Sequence, residues 1–142
     1  MSFQEKSAWL SIAITVVVFG AYYAIVLGHL PNTPIAEIAY ELPLVAAIVA
    51  GIVLSIITHI AIAIPAPREA GTSDERDTTI NWYGEFIGSQ PLWVGALAAL
   101  ILALTKSEPF WIANVLFATF FAAGLISSAA KIVAYRRGFE PW

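Results

Sequence analysis

His59, Glu85, Gln90 and Lys131 are the side chains of this sequence best placed to do chemistry, because each interrupts or borders a long apolar run. A polar or ionisable group in such a run is expensive unless partnered, and it usually faces the interior of a helix bundle. Counting along helices brings the three ionisable groups to one level. His59 lies five residues before Pro65, about 7.5 Å from the end of its segment. Glu85 enters the third segment from that same side, and Lys131 lies about 20 residues beyond the start of the fourth, near its exit. An imidazole and a carboxylate so arranged can relay protons, and a carboxylate with an ammonium group can hold a polar substrate. The simpler arrangement, which the spacing favours, is a Glu85–Lys131 ion pair stapling two helix ends, with His59 bonded to a backbone carbonyl. Long charged side chains at helix ends commonly reach back to the interface in this way.

A second concentration of polar chemistry is the stretch AGTSDERDTTINWYGE, residues 70–85. Arg68, Glu69, Asp74, Glu75, Arg76, Asp77 and Glu85 fall together here, in a chain with only 7 basic and 10 acidic residues. Thr72-Ser73-Asp74-Glu75 fits the capping box, in which a Thr side chain caps the third helical amide and a Glu reaches back. Asp74, Glu75 and Asp77 also place negative charge where the helix dipole favours it. The pattern predicts a helix that begins near Ser73 and runs unbroken into the third apolar segment. Asp74, Glu75, Arg76 and Asp77, with Arg136 and Arg137, make a candidate face for a protein partner.

Other constellations are weaker. His29, Glu37 and Glu41 have a common spacing in a loose link, so no metal site is expected. GxSxG, HExxH, P-loop and dinucleotide-binding motifs are all missing from the sequence. Without cysteine there is no disulfide, no Cys-based zinc site and no CxxCH haem attachment. No cofactor is expected, and the reading is non-enzymatic. A net charge of −3 argues against nucleic acid as a partner.

The elements that must carry these side chains follow from composition. Apolar residues make up 59% of the chain, charged residues 12%, and mean hydropathy is +0.78. A chain of this length cannot hide so much apolar surface in one aqueous core. Four runs, at residues 8–27, 42–64, 85–104 and 110–135, approach or exceed the roughly 20 helical residues needed to cross a bilayer. Continuous helices satisfy their own backbone groups in lipid. The fold expected is all-α, an integral-membrane four-helix up-down bundle forming a single domain. Its first span exceeds the core of a secretory signal and is expected to be retained. Even-numbered spans put both termini and the loop at residues 65–84 on one side, with Lys6, Arg68, Arg76, Lys131, Arg136 and Arg137; the other side has Lys106. This bias makes the first side cytoplasmic and the membrane the inner, or plasma, membrane.

In the outer link, Thr33 followed by Pro34 looks like an N-cap with proline at the first helical position. A short extracytoplasmic interfacial helix is expected there, with Ile35, Ile38 and Leu42 on one face. The apolar run from Pro91 to Leu104 covers only about 21 Å. Ser89, Gln90 and Glu85 should therefore lie inside the inner part of the bilayer. Small-residue stripes are expected to form the helix contacts: Gly20, Ala24 and Gly28; Ala47, Gly51, Ser55 and His59; Glu85, Gly88, Ser89, Leu92, Ala96, Ala99 and Ala103, beside a GxxxG step at Gly84 and Gly88; and Asn114, Ala118 and Ala122. Such faces also suit a homodimer or another membrane partner.

Glu5-Lys6-Ser7-Ala8-Trp9, Asp74-Glu75-Arg76-Asp77 and Tyr135-Arg136-Arg137-Gly138 together resemble a family of small four-helix membrane proteins of bacteria and archaea, a domain of unknown function. The resemblance extends over most of the chain in layout and implies four spans with no assigned activity. The expected function is that of a small accessory or regulatory protein acting through its cytoplasmic face. The alternative is a small proton-coupled transporter or carrier working through Glu85 and His59.

Overall fold

The computed structural model describes residues 3–64 and 74–137, and the described residues are all-α. Four long helices carry them: α1 (Phe3–His29), α2 (Glu41–Ala63), α3 (Glu75–Leu104) and α4 (Pro109–Arg137). All four are long and apolar enough to cross a membrane. In α2, Pro43 falls in the first turn, where a missing N–H forfeits no intrahelical bond.

The start of α3 corrects the expected cap. Asp74, with an extended backbone, is the N-cap, and its Oδ1 accepts from the Asp77 amide at 2.7 Å. A carboxylate there both caps an orphan N–H and opposes the helix dipole. Thr72 and Ser73 lie outside the described residues, as do Arg68 and Glu69. From Glu75 the helix runs without a break to Leu104, past Pro91.

The link between α3 and α4 is a Schellman turn. Ser107 N–H donates to the Leu102 carbonyl at 3.0 Å and Lys106 N–H to that of Ala103 at 3.1 Å. Lys106 takes the left-handed conformation, φ 56°, that glycine usually fills. Pro109 then opens α4 at the position where proline is best tolerated.

The other link is less helical than expected. Only a single 3₁₀ turn, Ile35–Glu37, forms, and Pro34 precedes it in an extended conformation without a side-chain cap. Thr33 is therefore not the cap. Ile38 is buried and Leu42 exposed, so they do not share a buried face. Pro34 is held extended before the turn, and Ile38 closes it by returning to an extended conformation, so no longer helix forms.

Extensive packing joins α3 to α4, α4 to α1, and α1 to α2. Each of these pairs is antiparallel, as shown by Glu85–Lys131, Glu5–Arg136 and Ser7–His59. Close approach of α3 to α4 depends on three glycines. A Cβ on Gly84 would run into the Lys131 stem, one on Gly88 into Ser127 and the Ala123 carbonyl, and one on Gly95 into Thr119. The buried face of α3 is Ile80, Gly84, Gly88, Gly95 and Ala99. The expected stripe shares only Gly88 and Ala99 with it, and Glu85, Ala96 and Ala103 are exposed. One residue along a helix is a 100° rotation, and the glycine, not its charged neighbour Glu85, sets which face meets α4.

Helix α1 also turns a different face inward. Ala8, Val18, Tyr22 and Val26 are buried, whereas Gly20, Ala24 and Gly28 are exposed and nothing approaches Gly20 or Gly28. Its contact with α4 is aromatic. Phe19 stacks on Phe117 at 4.2 Å and Tyr22 meets Phe117 edge-on at 4.8 Å. Bulky rings fill this gap, so small residues are not needed there. In α4, Asn114 is buried, Ala122 is partly so and Ala118 is exposed.

The stripe on α2 does face α1, with Ala47 buried and Gly51 nearest to Val18. Ala47 is the one buried residue of α2, and most of that helix's large side chains are exposed. The main apolar cluster lies toward the 3₁₀ turn, where Val18, Tyr22, Val26, Ile38, Phe110 and Phe117 meet. Tyr22 brings a hydroxyl into it and donates to Asn114 Oδ1 at 2.9 Å, while Asn114 Nδ2 donates to the Phe110 carbonyl at 2.8 Å. The polar atoms buried by this packing are thus satisfied among themselves.

Candidate functional site

Charged and polar side chains collect at the end of the helices that carries both termini. Lys131 Nζ reaches Glu85 Oε1 at 2.6 Å, and Ser127 Oγ donates to the same oxygen at 3.2 Å. The route of Lys131 explains Gly84. Its Cδ and Cε occupy the space where a Cβ at position 84 would stand, 3.1 and 2.7 Å away. The missing side chain lets the lysine stem cross α3 and meet the carboxylate one residue further on. The lysine side chain is 19% exposed and that of Glu85 62%, so the pair sits at the margin of the packed interior.

Two further contacts tie the same end. Arg136 Nε donates to Glu5 Oε1 at 3.2 Å, and its guanidinium lies 5.4 Å from the centre of the Trp9 ring. Tyr135 donates its hydroxyl proton to Asp77 Oδ1 at 2.9 Å. Asp77 and Arg136, expected on a partner face, are thus engaged inside the chain. Asp74 serves as the helix cap, and Glu75, Arg76 and Arg137 are exposed.

His59 stands between α2 and α1. Its Nδ1 is 2.7 Å from the Ser55 carbonyl and its Nε2 is 2.8 Å from Ser7 Oγ. A carbonyl only accepts, so Nδ1 carries the proton of this contact. In the neutral ring Nε2 then accepts from the Ser7 hydroxyl. His59 and Lys131 line one cavity of about 340 Å³, together with Ser7, Ser11, Asn81 and Ser128. Gln90 is not part of this group. Its Nε2 donates to the Phe86 carbonyl at 3.1 Å, beside Ser89 Oγ at 2.7 Å from the same oxygen. Folding back onto their own helix is how these two side chains find partners without a neighbour.

The constellation can bind and orient a polar group, since it offers hydroxyls, an amide, an imidazole and one ammonium. Ser7 and His59 form a serine–histidine pair, in which a backbone carbonyl, not a carboxylate, orients the imidazole. Among the described residues no cluster of three or more His, Asp or Glu side chains could hold a metal ion. His29 Nδ1 lies 2.7 Å from the Ile25 carbonyl, a local contact within α1.

Sequence reasoning missed Ser7, Asn81, Ser127 and Ser128 as members of the site, and Glu5 as a partner for Arg136. The adjacent serines one turn before Lys131 were a usable signal, because they are the only hydroxyls in the second half of α4 before Tyr135. Asn81 carried no such signal among the polar residues around it. Comparison with known protein families, with curated proteins and with solved structures gives no match, so the functional reading rests on the geometry of this chain.

Proposed function

We propose that the chain is an integral protein of the inner membrane, with four up-down spans and both termini cytoplasmic. It acts as a non-catalytic accessory or regulatory subunit through its cytoplasmic face. The observation that carries this reading is the one-sided distribution of polar groups. Lys6, Arg76, Lys131, Arg136 and Arg137 share the end of the helices opposite to Lys106. Trp82 lies at the same end, and from it to Leu104 α3 rises about 33 Å, close to the hydrocarbon thickness. Glu75, Arg76 and Arg137 stand exposed there for a partner.

A proton-coupled carrier has less support from the geometry. Glu85 is held by Lys131 and Ser127, and His59 by Ser7 and Ser55. Further along the helices, the Asn114 side chain is engaged by the Tyr22 hydroxyl and the Phe110 carbonyl. Reporter fusions after Trp142 and within residues 28–34 test the orientation. A C-terminus outside the cell overturns it. Proton flux in reconstituted liposomes that disappears in Glu85→Gln, with the protein still folded, favours the carrier instead.

A further inference from the structure

The polar cavity does not end at His59. A second, apolar cavity of about 580 Å³ begins where it stops, with Ser11 lining both. On α2 the passage is equally short, since His59 faces the polar cavity and Ser55, bonded to the His59 ring, faces the apolar one. The apolar cavity is a lateral groove between α1, α2 and α4, with Val18, Gly51, Ile52 and Phe120 among its walls. It follows α1 from Ser11 to Phe19, about 12 Å. The groove exists because α2 packs extensively only on α1 and Gly51 carries no side chain to fill it.

Each half has the size of a small-molecule site, and together they have the polarity profile of an amphiphile. We infer that this compound cleft binds one anionic phospholipid, its phosphate in the cavity of Lys131 and its acyl chain in the groove beside Gly51. The inference rests on the membrane orientation proposed above. Three features select the ligand. Lys131 is the one charged residue lining the polar cavity. Its ammonium has three N–H groups and the Glu85 contact uses one. The hydroxyls of Ser11 and Ser128 and the Asn81 amide add neutral donors, which suit a phosphate with its many acceptor sites. In the proposed orientation this end of the helices faces the leaflet where anionic lipids concentrate, and a lysine-lined pocket between spans on that side is a natural headgroup site.

The test uses the full chain, extracted from membranes, stripped of lipid in detergent and titrated in native mass spectrometry. The probes are phosphatidylglycerol and phosphatidylcholine of identical chains. One phosphatidylglycerol is expected to bind, about fivefold more tightly than phosphatidylcholine, as one lysine near an anionic headgroup supplies. Lys131→Gln should abolish the preference while phosphatidylcholine still binds. Ser11→Phe, which closes the junction without touching an ion pair, should weaken both lipids. If Lys131→Gln does not fold, Ser11→Phe and the wild-type comparison still decide. Equal binding of the two lipids, a neutral amphiphile retained in preference to either, or undiminished binding of both lipids in Ser11→Phe overturns the site. Resistance to carbonate extraction is measured in parallel. A protein released by carbonate defeats the membrane reading itself, whereas one that resists it and shows no lipid preference defeats only the cleft.

Discussion

Gly88→Ala is the sharpest test of how α3 and α4 fit together. A Cβ at Gly88 would stand 2.5 Å from Ser127 Cβ, 2.9 Å from the Ala123 carbonyl oxygen and 3.0 Å from Ser127 Cα. Two of those atoms are backbone, so no rotamer change relieves the clash and the helices must move apart. Forced overpacking of this kind costs about 1–3 kcal/mol. Against it stands the helix preference of Ala over Gly, about 1 kcal/mol. Gly20→Ala is the matched control, because nothing lies within 4 Å of a Cβ there. Both changes gain the same helix preference, so their difference isolates the contact term. Gly20→Ala should stabilise by up to about 1 kcal/mol, and Gly88→Ala should fall below it by about 1–3 kcal/mol. Equilibrium unfolding in mixed micelles, followed by circular dichroism, measures both. If Gly88→Ala is as stable as Gly20→Ala, the close approach of α3 and α4 at this glycine is wrong.

Three further outcomes are expected. Asp74→Ala should destabilise the start of α3 by about 1 kcal/mol, seen as faster amide exchange at residues 75–78, and unchanged exchange would remove Asp74 as the cap. Glu85→Gln should lower detergent stability more than the double change Glu85→Gln with Lys131→Met, because the single change leaves a mostly buried ammonium without its carboxylate; the reverse order in thermal unfolding would show that the pair does not act as a unit. Lys106→Gly should stabilise the turn by roughly 1 kcal/mol, since glycine takes the left-handed conformation freely, and a loss of stability would mean that the lysine side chain does more than its backbone shows.

The sequence makes element number and length readable because the apolar runs are long and the polar breaks between them few. Counting outward from the turn at residues 105–108 puts Glu85 and Lys131 at a common depth, which is a matter of helical rise alone. Rotation is harder. The Gly84–Gly88 step is legible, but the expected stripe centres on Glu85 and Ser89, and a glycine reveals its partner only when the opposing Lys131 and Ser127 are known. The face of α1 was read from small residues, while the partner helix supplied aromatics that call for Val18 and Tyr22 instead. The cap was hidden for another reason. Thr72, Ser73 and Asp74 are all good N-caps, and sequence spacing could not choose among three adjacent candidates. The cavity shared by Ser7, His59, Asn81 and Ser128 brings together four segments far apart in the chain, a coincidence that no local pattern encodes.

The bond between Tyr22 and Asn114 sets a clock on the making of this protein. The two residues are 92 positions apart, and synthesis at about 5–20 residues per second separates their appearance by roughly 5–18 s. Through that interval a nascent α1 holds a phenol whose eventual acceptor has not been made. Helix α2 arrives early but packs beside α1 without offering a hydrogen-bond partner to that hydroxyl. The half-made chain therefore shows a polar mark on its first helix, and only docking of the last helix hides it. A chain stopped before Asn114 lacks the acceptor, and its Tyr22 hydroxyl goes without the partner that the finished fold gives it.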